Sequence, residues 1–434
     1  MVTSRIDSPG IDDPVLDQRT LPNGMRLLTA PMPHTRSATI SLYVGAGSRY
    51  EQPDQAGVSH IVEHLCFKGS EHWPTAQQIS EAIEGVGGVL NAGTDRELTV
   101  YYAKVPRNHL PLALNLISDM VLRPRFNPAE MEKERNVILE ELASVEDNPG
   151  QMAEVVLDRL LWPDQALGRD VAGTPESVQN IPLDAAISYR TNQYTPTNTL
   201  ISVAGAVDAD EVQTLAIEAT EDWTFGSPSD WERVRPDAGS SRIGLRYKEI
   251  EQAHLMVGFP GLSAQDPDRF ALSLLMGALG DGMSSRLFVS LREDLGLAYD
   301  VHAFSSTLLD TGAAAIYLAV DPDNAMQALE ATMAELSRIR AGIPAPELHK
   351  ILEYTKGRML LNMEDTRAVS AWYGGQALLL NRTRSVDEVV ADLEAVSQED
   401  LVRVADTLIR DECFRLSLVG PFDNDHRFAD ALHL

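Results

Sequence analysis

Gly57-Val58-Ser59-His60-Ile61-Val62-Glu63-His64 is the stretch whose reading decides the rest of the chain. On a helix, His60 and His64 stand one turn apart and point the same way, with Glu63 beside them. Two imidazoles at that separation can hold one zinc ion, and the carboxylate between them can take a proton from a water that the metal activates. The order His-x-x-Glu-His reverses the commoner helical zinc-binding order. The competing reading is a solvated helix face that happens to carry two histidines, so the choice between them turns on what else the chain supplies.

Structural zinc sites usually close with four protein ligands, whereas catalytic ones keep three and a water. A third ligand must therefore come from elsewhere, and Glu141 is the best candidate. It stands 77 residues beyond His64, on a helix that Asn127-Pro128 opens as N-cap and first helical residue. Its neighbour Glu140 points about 100° away on that helix, so both cannot face one metal. Glu134 lies two turns earlier on the same face as Glu141 and could hydrogen-bond a ligating histidine from behind. Glu63 directly precedes a metal-binding position, which suits it to be the general base rather than a ligand.

The chain has 434 residues, enough for two domains of ordinary size. No apolar run approaches the ~20 residues of a membrane helix, so no membrane association is expected. Met1 to Gln18 shows no basic start followed by an apolar stretch, which argues against a secretory signal. Two cysteines, Cys66 and Cys413, are too few for a disulfide framework and fit a reducing cytoplasm. On a helix Cys66 points away from the metal side of His64 and reads as a core residue. The formal charge of −28 would repel a phosphate backbone, so nucleic acid is not an expected partner, while basic or neutral peptides are tolerated.

The elements read as an α+β protein. A hairpin is expected from Val15 to Thr29 with its turn at Asn23-Gly24, then a strand from Ala38 to Val44. The histidine helix spans Ala56 to Phe67, and a second helix Ala76 to Glu84. Strands follow near Val89-Leu90-Asn91 and from Leu98 to Val105. Further helices are expected from Pro128, at Met152–Leu161, Leu183–Gln193 and Asp210–Thr220, around a strand at Leu200 to Val207. Residues 229–241 read as an exposed linker between a first domain, 1–228, and a second, 242–434. The stretch Leu255 to Leu279 rhymes with Leu42 to His64 but lacks the histidine pair. Two homologous domains are therefore expected, each a mostly antiparallel sheet packed with helices, with the metal site only in the first.

Several stretches, taken together, resemble the M16 metallopeptidases (the pitrilysin or insulysin family, carriers of the inverzincin motif), and within it the processing peptidases. They are Gly57 to His64 with Phe67-Lys68-Gly69, Gly87 to Thr94 through Glu97, Thr99 and Tyr101, and Glu134 to Glu141 with Asp147-Asn148-Pro149. The second half contributes Leu279 to Phe288 and Leu291 to Tyr299. The resemblance implies one zinc ion per chain on His60, His64 and Glu141, with Glu63 as base and Glu134 behind the ligands. It implies that Asn91 and Ala92 lie on an edge strand to which a peptide adds as one more strand. It further implies that Arg292 and Tyr299 act on bound peptide and developing oxyanion. Two such two-domain units make a clam-shell chamber in this family, so a homodimer is expected, with a heterodimer containing a metal-free sister subunit as the alternative.

Two other functions compete with a zinc endopeptidase that cuts unfolded peptides or peptide extensions. One is a non-enzymatic scaffold of the same architecture, against which the intact His60, Glu63, His64 and Glu141 set argues. The other is a metal-binding or peptide-binding module without turnover.

Overall fold

A computed structural model describes residues 16–223, 226, 228–235 and 241–434. The first sheet contains β1 (Asp17–Thr20), β2 (Arg26–Pro31), β3 (Ser37–Val44), β4 (Val89–Thr94), β5 (Thr99–Pro106) and β6 (Thr199–Gly205), in the spatial order β1-β2-β6-β3-β5-β4. The second contains β7 (Ile243–Tyr247), β8 (Ala253–Pro260), β9 (Ala298–Thr307), β10 (Gly312–Val320) and β11 (Arg415–Gly420), in the order β7-β11-β8-β10-β9. Without β1, the two orders are the same. The parallel pair β2 and β6 has its counterpart in β7 and β11, and every other pairing is antiparallel. The rhyme in the sequence is thus a repeated sheet, and the α+β class is as expected.

The helices of the first half are α1 (Val58–Cys66), α2 (Ala76–Glu84), α3 (Leu110–Leu122), α4 (Pro128–Asp147) and α5 (Pro149–Leu161), followed by shorter ones. Helix α1 begins two residues later than the sequence suggests, because Gly57 takes a left-handed conformation (φ 96°) directly before it. A Cβ at Gly57 would stand 2.4 Å from the Ala172 carbonyl oxygen. The sequence reading places no element at α3. Ten of its thirteen residues are buried, so it shows no polar stripe by which to recognise it. Asn148 ends α4 and caps α5, its side-chain oxygen accepting from the Gly150 and Gln151 amides. Val15 and residues 236–240, which the expected hairpin and linker include, lie outside the described residues. The described part of the linker is anchored: Arg49 lies 3.8 Å from the centre of the Trp231 ring, and the Val234 amide donates to Asp310.

Each sheet must cover two faces, and the halves cover one face of each for the other. Along β3, Ala38, Ile40, Leu42 and Val44 point into a core shared with α1 and α3. The alternate residues Thr39, Ser41 and Tyr43 point to the opposite face. That face is covered by the helix Thr366–Leu380 from the second half. The contact is hydroxyl to hydroxyl: Thr39 and Thr366 oxygens are 2.8 Å apart, and Ser370 donates to Ser41 over 2.8 Å. Ser202 on β6 donates to the Ser370 carbonyl. Gly374 lets the helix settle on the Tyr43 ring, where any Cβ would stand 2.4 Å from a ring carbon. Reciprocally, α5 covers the second sheet. Leu157 and Val156 fill the space over Gly258 and Gly244, and Met152, Ala153 and Trp162 join Met256, Ala315 and Val419 in one apolar cluster.

This exchange makes the halves one cooperative unit. Truncating Leu157, which is 3% exposed, to alanine should cost about 2–5 kcal/mol, the range for a buried leucine. The loss should lower a single calorimetric transition for the whole chain. Two resolved transitions, with only the second half destabilised, would contradict the shared core.

Candidate active site

Helix α1 carries the histidine pair into the space between its sheet and α4. Its N-terminus is held by Glu51, whose two carboxylate oxygens accept from the Gly57 and Ser59 amides at 2.8 Å and from the Ser59 hydroxyl. A carboxylate there answers both the free amides and the helix dipole. Burial nevertheless pushes the Glu51 carboxyl up to about 7, against those hydrogen bonds and the charge of Arg169.

The i, i+4 spacing brings the Nε2 atoms of His60 and His64 to 3.2 Å. From α4, Glu141 Oε2 stands 3.7 Å from each. The edges of a tetrahedron with metal–ligand bonds of 2.0–2.1 Å are about 3.3–3.4 Å, so the three donors are spaced for a common ion. His64 Nδ1 lies 2.9 Å from Glu134 Oε2, and Lys68 Nζ lies 2.7 Å from the other oxygen of Glu134. A proton on His64 Nδ1 leaves the Nε2 lone pair facing His60 and Glu141. Burial, with the His64 charge adding to it, holds the His60 pKa down to about 4, so His60 is a neutral imidazole. Two nitrogen lone pairs and a carboxylate oxygen then converge, an arrangement that repels itself until a cation stands among them. The donor set fits zinc. Among the described residues, this is the one group of three or more His, Cys, Asp or Glu side chains able to close on an ion.

Glu63 is near but turned differently. Its Oε2 accepts from the Thr94 hydroxyl at 2.6 Å. Burial raises its pKa, the nearby Glu141 charge adds to the rise, and Thr94 and His64 oppose it. Thr94 ends β4, the outermost strand of the first sheet, whose neighbour is β5 on one side only. Asn91 and Ala92 lie on that strand, where the Asn91 side-chain oxygen accepts from the Ala92 amide. Cys66 is fully buried and outside the cluster.

Arg292 and Tyr299 are not brought to this cluster within the chain. Arg292 lies on a wide helical turn at Phe288–Asp294, its guanidinium 5.0 Å from the Phe288 ring centre. Tyr299 is on β9, the outer strand of the second sheet, and is 70% exposed. Among the described residues, neither forms a hydrogen bond or ion pair with His60, His64 or Glu141. Glu51, Lys68 and Thr94 are supports that residue-by-residue reasoning missed. Lys68 and Thr94 do stand within the stretches that carry the resemblance, whereas Glu51, six residues before Gly57, has no capping spacing to betray it.

Residues 26–175 match the family described as insulinase (peptidase family M16), and residues 180–354 match the peptidase M16 inactive domain. A Bacillus subtilis protein named uncharacterized zinc protease YmxG is 34% identical over 94% of this chain and 99% of its own length. The chain belongs to peptidase family M16. A Streptomyces coelicolor member, also named an uncharacterized zinc protease, is 35% identical over 95% of this chain and 91% of its own. The crystal structure of a protease from Helicobacter pylori superposes with a TM-score of 0.86 at 22% identity, over 94% of this chain and all of that one. This M16 chain is a zinc metallopeptidase.

Glu134→Gln should weaken zinc binding by about 10- to 100-fold, the usual effect of losing a carboxylate behind a ligating histidine. Competition against a chelating dye measures it, and an unchanged affinity would remove Glu134 from the site.

Proposed function

We propose that the chain is an endopeptidase for unfolded polypeptides, in the manner of the processing peptidases. His60, His64 and Glu141 hold the zinc, and the substrate lies as an added strand along β4 past Asn91 and Ala92. The observation that carries this reading is the convergence of three donors beside a carboxylate that Thr94 tethers to an unpaired sheet edge. Zinc, when bound, supplies Lewis acidity toward water and the peptide carbonyl. Glu63 takes one proton from the attacking water as its oxygen bonds the carbonyl carbon. It then gives that proton to the leaving amine as the C–N bond breaks. Thr94 aims the carboxylate, and burial, by raising its pKa, makes it the stronger base. Strand addition recognises main chain, so it selects extended peptides more than particular side chains.

Arg292 and Tyr299 complete the reading from a second copy. In this proposal 1–228 carries the metal, and 242–434 offers Arg292 and Tyr299 to the zinc site of the facing subunit of a homodimer, around a chamber that excludes folded proteins. A heterodimer with a metal-free sister is the alternative, and an active monomer would refute both. No helix among the described residues is long and apolar enough to cross a membrane. The proposed compartment is the cytoplasm, in keeping with the two free cysteines.

Glu63→Gln should keep stoichiometric zinc while kcat/KM on a quenched peptide falls by about 10²–10⁴, the range for losing a general base. An active variant would refute the assignment. Subunit mixing tests the dimer. Glu63→Gln and the double variant Arg292→Ala, Tyr299→Phe are each expected to be inactive alone. Mixed in equal amounts, they should recover about a quarter of wild-type activity, because half of randomly paired dimers contain one complete site. No recovery in proven mixed dimers would place both residues on their own subunit's zinc, and a double variant active by itself would place them outside the reaction.

A further inference from the structure

A cavity of about 620 Å³, lined by none of His60, Glu63, His64 or Glu141, lies between the exchanged helix Thr366–Leu380 and the start of the second-half helix Arg269–Gly280. That is a volume typical of small-molecule sites. Its apolar surface comes from Phe270, Trp372, Leu380 and Val389. Three arginines share the wall, Arg269, Arg382 and Arg384, and no acidic side chain lines it, in a chain with 64 acids and 36 bases.

The acids nearby are already engaged. Asp268 and Asp400 pair with Arg403, and Asp392 pairs with Arg384. Among the described residues, Arg269 and Arg382 form no ion pair. The Arg269 guanidinium donates only to the Asp266 carbonyl and lies 4.1 Å from the Phe270 ring centre. Burial, and the neighbouring Arg384 and Arg382 charges, lower its pKa, and the Asp392 and Asp266 charges only partly oppose them. A partly buried cation without a paired acid, as Arg269 is, is costly unless an anion joins it.

The arginine-bearing loop is also fixed in advance. The Trp372 indole donates to the Arg384 carbonyl over 2.8 Å, and the Arg384 amide donates to Gln376 over 3.2 Å. Arg384 Nε is buried and has no hydrogen-bond partner among the described residues. From the first half, Gln18 donates to Thr383 over 2.7 Å and Arg26 to Asn381 over 3.0 Å. Such a loop spends little entropy on ordering when a ligand arrives.

We infer that this cavity binds an amphipathic carboxylate, its head between the Arg269 and Arg382 guanidiniums and its apolar body against Phe270 and Trp372. Planar guanidinium forks suit a carboxylate, and the aromatic floor suits an aryl or alkyl body. Two sources have that chemistry: a free aryl or alkyl acid, and the carboxyl-terminal residue of a peptide.

The test uses zinc-loaded full-length Glu63→Gln protein, so that peptides survive. The probes in calorimetric titration are 4-phenylbutanoate, the neutral 4-phenylbutanol, inorganic phosphate, and a hexapeptide ending in phenylalanine as free acid or amide. Saturable one-to-one binding is expected for 4-phenylbutanoate, for the free-acid peptide, or for both, and which of them binds identifies the source. The neutral alcohol or amide should bind at least about tenfold more weakly, as for a lost charge-assisted contact. Arg269→Gln and the exposed Arg382→Gln, made separately, should each weaken binding of the acid by a similar factor and leave binding of the alcohol unchanged. Equal binding of acid and alcohol, phosphate binding as tightly as the acid, or unaltered affinity in both arginine variants would overturn the inference. The zinc content of each sample, measured alongside, keeps this outcome separate from failure of the peptidase reading.

Discussion

Among the described residues, neither sheet has helices of its own half on both faces, and the exchange of one helix each way answers that shortage. The helix Thr366–Leu380 covers β3 and β6, and α5 covers β8 and β11. The contact surfaces are built for close approach, with Gly374 on Tyr43 in one direction and Gly244 and Gly258 under Val156 and Leu157 in the other. Interiors packed to this density transmit displacement rather than absorb it. The sheet behind α1 therefore depends on a helix far away in the chain, more than 300 positions from its β3 partners and 168 from Ser202 on β6.

On that frame the zinc site is an exercise in controlled electrostatic strain. The protein holds two imidazoles and a carboxylate close together, and it fixes one imidazole through Glu134 and Lys68. Glu51 clamps the first turn of the helix that presents them. Glu63 is kept apart by Thr94, so the proposed division of the carboxylates, one holding a cation and one moving a proton, has a geometric basis. Metal binding relieves the strain, and it follows that the ion also stabilises the fold.

The chain announces the chemistry more openly than the scaffold. His60, Glu63 and His64 are legible because helical spacing alone aligns them, and Asn127-Pro128 marks the start of α4 from which Glu134 and Glu141 take their shared face. The repeat is legible as a faint rhyme. The helix exchange is not, because Ser37, Thr39 and Ser41 alternate with apolar residues as a solvent face would, yet they meet hydroxyls of a distant helix. Helix α3 is hidden by being apolar almost all round. That Tyr299 stands exposed on an outer strand of the second sheet is likewise invisible to a linear reading.

The interlocked packing has a further consequence. A polypeptide whose two parts each hold a piece of the other does not come apart when the backbone between them is severed. A single cut after residue 223 would yield two fragments that stay entwined and migrate as one particle. By the same token, either fragment made alone would uncover a sheet face that the other now buries, including Leu28, Ala30 and Leu200 in the first half and Met256, Ala315 and Val419 in the second, and would be a client for chaperones rather than a module for transplantation.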